Sequence, residues 1–155
     1  MERRPDMSRS PDIKALKEIA KIREAQQTAA ALEVAIADVE VRRLDDLVEE
    51  TALRLRDEES NWSRALRRPL LQLDIVRSWS SVLLGRQEEL QSAEFHRDEA
   101  LSHKAHKAQA WKGAQARQDC AQAISTAAER IHRRRHEERA TAWSADAFLH
   151  RKARP

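Results

Sequence analysis

His103 and His106 stand one helical turn apart, and so do His132 and His136. Two imidazoles at that spacing can hold zinc if further ligands stand close by. No Cys, Asp or third His lies at a suitable spacing to complete either pair, so both read as solvated histidines on a polar face. Cys120 is the single cysteine, which excludes an internal disulfide framework. Its neighbours Ala121, Ala123 and Ile124 suggest a small core residue rather than a reactive thiol. The acidic pairs Asp45–Asp46, Glu49–Glu50 and Glu58–Glu59 read as exposed helix charge, the last close to Arg64, Arg67 and Arg68. No motif for phosphate binding, nucleophilic catalysis or paired-acid chemistry is present. Neither catalysis, metal nor cofactor is expected.

The elements that carry these residues follow from composition. Charged residues make up 35% of the 155 and aromatics only 4%, too few aromatics for an ordinary globular core of this length. With 2 Gly and 4 Pro, the chain cannot supply the frequent turns of a sheet protein. Ala, Leu, Glu, Arg, Lys and Gln dominate, all strong helix formers. Apolar residues reach 41% and recur at helical spacing, which argues against disorder for most of the chain. The expected fold is all-α, a long antiparallel two-helix coiled-coil hairpin. Net charge is only +3, with acids nearly as numerous as bases, a solvated helix surface rather than a nucleic-acid-binding composition. No apolar run approaches the ~20 residues that span a bilayer. The basic segment 1–10 lacks the apolar stretch of a secretory signal, so a cytoplasmic location is expected.

Prolines set the boundaries. Ser10-Pro11-Asp12 reads as an N-cap, a first-turn proline and an acid at the positive end of the helix dipole. Pro69 disfavours helix at Arg68 and cannot donate to the preceding turn. The reading is a disordered basic N-terminus over 1–10 and a hairpin over 11–150, followed by a basic tail over 151–155. Within the hairpin, helix 1 covers about 11–67, the reversal 67–70 and helix 2 about 71–149. Gly85 and Gly113 lie inside helix 2 and could mark bends. Helix 1 carries two apolar stripes. One is Ile22, Ala25, Ala29, Leu32, Ile36 and Val39; the other starts at Val34, Ala37, Val41 and Leu44 and continues to Trp62 and Ala65. The reading takes them as one buried face drifting around the axis. In helix 2 the expected contacts are Val76, Trp79, Leu83, Leu90 and Ala93, interrupted at Arg86/Gln87, then Cys120, Ile124, Ala127 and Ile131. At 1.5 Å per residue the helices would span roughly 80 and 120 Å, so part of helix 2 lacks a partner from helix 1.

Two surfaces stand out for binding. The run Arg130, His132, Arg133, Arg134, Arg135, His136 and Arg139 is the densest charge in the chain. A solvated face and a binding surface both remain open for it. An antiparallel hairpin would add Arg3 and Arg4 from the N-terminus and Arg151 and Lys152 from the C-terminus, giving a rod with one basic end. Nucleic acid is not the expected partner, because no aromatics interleave with the bases as stacking platforms. Near the reversal cluster Trp62, Trp79, Val82, Leu83 and Leu84. They could anchor a partner at the hairpin tip or simply lock the turn.

The layout resembles the FliJ/YscO-type proteins, the central-stalk subunits of flagellar and type III secretion export ATPases. The resemblance covers nearly the whole chain. It is carried by Glu137-Glu138-Arg139, Ala142, Asp146-Ala147-Phe148 and the basic tail His150-Arg151-Lys152-Ala153-Arg154-Pro155, and by the stretch from Trp79 through Arg86, Glu89 and Leu90. Ala147 departs from the pattern, where the family often has an acid. The resemblance implies a non-catalytic stalk that inserts its paired helix ends into the secretion ATPase hexamer. It also implies links to the export gate protein and binding of export chaperones, with membrane contact only through partners. Asp146 and Phe148 are the matching site positions. Two other readings stand beside it: a self-assembling structural coiled-coil scaffold, and a nucleic-acid-associated coiled coil using the Arg130–Arg139 face.

Overall fold

The computed structural model describes residues 12–67 and 73–152. The protein is all-α: two long helices pack antiparallel, with no strand among the described residues. Helix α1 runs Ile13–Leu66 and α2 runs Leu73–Lys152. Segment 1–11, including Arg3 and Arg4, lies outside the described residues, as do the greater part of the expected reversal at 67–70 and the last residues of the expected tail.

The expected cap Ser10 lies outside the described residues, and Asp12 caps α1. Its Oδ1 accepts from the Lys14 N–H at 3.0 Å and from the Ala15 N–H at 3.5 Å, the second and third amides of the helix. Its carbonyl accepts the first intrahelical bond, from Leu16 N–H at 3.0 Å. The carboxylate thus satisfies donors that no earlier turn could, and its charge suits the helix N-terminus. At the other end Arg67 N–H reaches Arg64 C=O at 3.3 Å, a tightened last turn ahead of Pro69. In α2 neither glycine interrupts the helix.

The chain divides into two compact units. Residues 30–111 form one of them. Along its α1 segment the covered positions are Val34, Ala37, Val41, Leu44, Val48, Thr51 and Leu55, ending at Trp62 and Ala65. Its α2 segment covers Val76, Trp79, Leu83, Arg86, Leu90 and Ala93, then Arg97, Ala100, Lys104 and Lys107. Both sets alternate by three and four residues, the period of a coiled-coil seam. Glu33 pairs with Lys107, Asp38 with Lys104 and Trp62 with Trp79, so α2 numbers fall in step as α1 numbers rise. Antiparallel register is thereby fixed. Arg86 does not break the seam as expected; its stem lies within it while its guanidinium reaches Glu89 at 2.8 Å. Thr51 is buried, its hydroxyl donating to the carbonyls of Leu47 and Val48 at 2.9 and 3.0 Å.

The second unit joins the start of α1 to the end of α2 from Lys112. Ile13, Leu16 and Ala20 are covered on α1, and Ala114, Gln118, Ala121, Ser125 and Ala128 form the covered row on α2. Lys17 pairs with Glu129 at 2.8 Å. The expected contacts Cys120, Ile124, Ala127 and Ile131 are all exposed, so the contact row here is the one set one residue later. Apart from Gln118 it consists of alanines and a serine, small side chains that let two helix backbones approach closely. Cys120 is an exposed thiol, not a core residue.

The two α1 stripes are likewise separate. Val34, Ala37, Val41 and Leu44 face α2, but Ile22, Leu32, Ile36 and Val39 are 57–66% exposed. The stripes differ by two residues, which turns a helix of 3.6 residues per turn by about 200°. They occupy opposite faces rather than one drifting face.

Candidate protein-binding surfaces

Trp62 and Trp79 lie half-buried and stack on each other, ring centroids 6.1 Å apart and planes at 28°. Each comes from a seam position of its helix, which is why the sequence brings them together across the pair. Leu83 is half-buried one turn further along, and Val82 is 41% exposed beside it. Ile75 and Leu84 are exposed as well, at 42% and 60%. Around the stacked tryptophans α2 therefore shows apolar side chains to solvent.

The basic run occupies α2 beyond its last buried residue, Ala128. Continuing the seam spacing past Ala128 gives His132, Arg135 and Arg139. Charged residues at contact positions disfavour apolar helix pairing, and every residue from His132 to Ala145 is exposed. Arg133 and Arg134 fall between these positions, so the positive charge surrounds the helix instead of forming one stripe. Trp143 is 82% exposed and Phe148 63%. Asp146, Arg151 and Lys152 are on α2, but their side chains are outside the described residues, as are Arg3 and Arg4 altogether. Where α1 begins, Ile13, Lys17, Glu129, His132, Arg133 and His136 line an open groove. Among the described residues no three His, Cys, Asp or Glu gather as a metal site would require. No helix among them is long and apolar enough to cross a membrane.

Three lysine–carboxylate pairs tie the helices within the units. Lys104 donates to Asp38, Lys107 to Glu33 at 2.8 Å and Lys17 to Glu129 at 2.8 Å. The hydrogen bond from its lysine holds each carboxyl below its ordinary range. Arg42 adds to the effect on Asp38 from one turn along α1.

The surface that sequence reasoning missed is the outer row of α1, with Ile22, Leu32, Ile36 and Val39 turned away from α2. The signal was present: a two-residue offset between apolar stripes places them back to back. No protein-family model matches the chain, and neither a curated protein nor a solved structure is detectably similar to it.

Proposed function

We propose that this chain is a non-catalytic coiled-coil scaffold, which works by associating through its helix faces, with copies of itself included. One observation carries the reading: beside a seam whose large residues are only half-buried, many large apolar side chains stand exposed. The buried apolar positions are Ala20, Ala37, Val41, Ala93, Ala114 and Ala128, and no large side chain is fully buried among the described residues. Leu32, Ile36, Val39, Leu84, Phe95 and Trp143 are all at least 60% exposed. A self-sufficient domain does the reverse, and surplus apolar surface marks interaction sites. Association stabilises the folded state by mass action, so the melting temperature should rise with protein concentration. A melting temperature unchanged over a hundredfold concentration range contradicts self-assembly.

A second reading is favoured by the basic, exposed end of α2 with Trp143 and Phe148. It is a central stalk or adaptor at the cytoplasmic face of a type III secretion system. Such a stalk would enter the ATPase hexamer and reach the export gate and chaperones. The test is hydrolysis rate and hexamer formation of the secretion ATPase from the same source. Stimulation that disappears when Arg133, Arg134 and Arg135 become Glu supports the stalk; no effect at saturating protein contradicts it.

A further inference from the structure

The small net charge of the chain hides a separation. Residues 30–111, one compact unit, hold 12 Lys and Arg against 16 Asp and Glu. The other unit, residues 1–29 and 112–155, holds 17 against 10. One unit is therefore acidic and the other basic, and in each the surplus gathers on an exposed surface. In the basic unit, segment 130–139 of α2 has five arginines against Glu137 and Glu138. Arg130, Arg133, Arg134 and Arg139 are exposed and enter no ion pair among the described residues. In the acidic unit Arg97 donates to Asp98 at 2.8 Å, and Asp45 from α1 and Glu94 lie close enough to favour its charge as well. Three carboxylates thus share one guanidinium. Asp46 and Glu49, both exposed, extend this surface along α1. Asp45, Asp46, Glu49 and Glu94 enter no ion pair among the described residues. The neighbouring cation Arg42 is already engaged by Asp38 at 2.5 Å.

We propose that the arginine segment of one copy seats on the acidic surface of a second copy of this chain, around Asp45, Asp46, Glu49 and Glu94, and that the contact is made twice in a two-fold pair. This deepens the scaffold reading and rests on it. Charge complementarity points to the second copy: the chain carries both surfaces, they are opposite in sign, and each lies wholly within one unit. The chemistry of the charges agrees. Every cation of segment 130–139 is arginine rather than lysine. The planar guanidinium fork takes both oxygens of a carboxylate at once, which a lysine cannot do. A single exposed ion pair contributes little, whereas several pairs in one network contribute more. Like surfaces repel each other, which fixes which unit meets which. A contact made in both directions closes with two copies and leaves neither surface uncovered.

The test uses the full chain under reducing conditions. One variant carries Arg130→Glu, Arg133→Glu and Arg134→Glu; the other carries Asp45→Asn, Asp46→Lys and Glu49→Lys. All these positions are exposed, so circular dichroism should show wild-type helix content in both. Sedimentation equilibrium at about 50 mM salt compares each variant alone with their equimolar mixture. Association should be roughly tenfold weaker than wild type in either variant alone. It should return in the mixture, where one chain brings the arginines and the other the acids. Wild-type association, which needs no variant, should weaken by roughly tenfold between about 50 and about 500 mM salt. Variants that associate as tightly as the wild type, a mixture no tighter than its components, or wild-type association indifferent to salt would each overturn this contact and leave the scaffold reading standing. A wild-type chain that is monomeric at every concentration and salt overturns both.

Discussion

Val39 and Val41 are chemically identical and two residues apart, yet one is 66% exposed and the other 5%. Their environments, not their types, decide what each contributes. Val41→Lys should cost about 3 kcal/mol or more in the dilute protein, because an unpaired ammonium enters the seam. Val39→Lys should stay within ~0.5 kcal/mol there, as surface changes do. Urea titration of both variants at low concentration checks the contrast; equal losses would mean that the buried face is wrongly assigned. Gly85 offers the opposite experiment. An added Cβ meets nothing within 4 Å, so alanine should recover up to ~1 kcal/mol of helix propensity. A lower melting temperature for Gly85→Ala would show that α2 uses the glycine for something besides continuity.

At the scale of the helices, the interhelical ion pairs give the fold a pH signature. Glu33, Asp38 and Glu129 each titrate below their ordinary range because a lysine from the other helix donates to them. A carboxyl with a lowered folded pKa contributes stability that is present above its unfolded value and lost as pH falls through the folded one. The melting temperature should therefore hold from neutrality to about pH 5 and drop below about pH 4. High salt should flatten the drop, since all three pairs are solvent-accessible. Replacing Lys104 and Lys107 by Ala should make it shallower; an unchanged profile would assign the acid sensitivity to other carboxyls. The helices themselves were legible in the sequence. Scarce Gly, the placing of Pro69 and the spacing of Val41, Leu44, Val48 and Leu55 announced two helices and the inner row of α1. The α2 row was harder to read, because Arg86, Arg97, Lys104 and Lys107 occupy contact positions and their buried stems have no apolar signature. Beyond Trp111 the covered row is Ala and Ser with one Gln, so the larger Ile124 and Ile131 drew attention to the wrong face.

For the molecule as a whole, the seams hold alanines that are buried and Leu, Val and Trp that are half-buried, while many further large apolar side chains stand exposed. The binding surfaces were only partly legible. Arg133, Arg134 and Trp143 stand out in any reading, but the outer row of α1 is visible only once α2 is known to cover the other side. On the proposed scaffold reading the work is done at the outer faces, and the first partner to look for is another copy. Sedimentation equilibrium of the wild-type chain at several loading concentrations addresses this most directly. The expected result is a mass that rises from 17.9 kDa towards twice that value as concentration increases, with helix content constant. A single species of 17.9 kDa at all concentrations would contradict the scaffold account and leave its exposed apolar rows for a different protein.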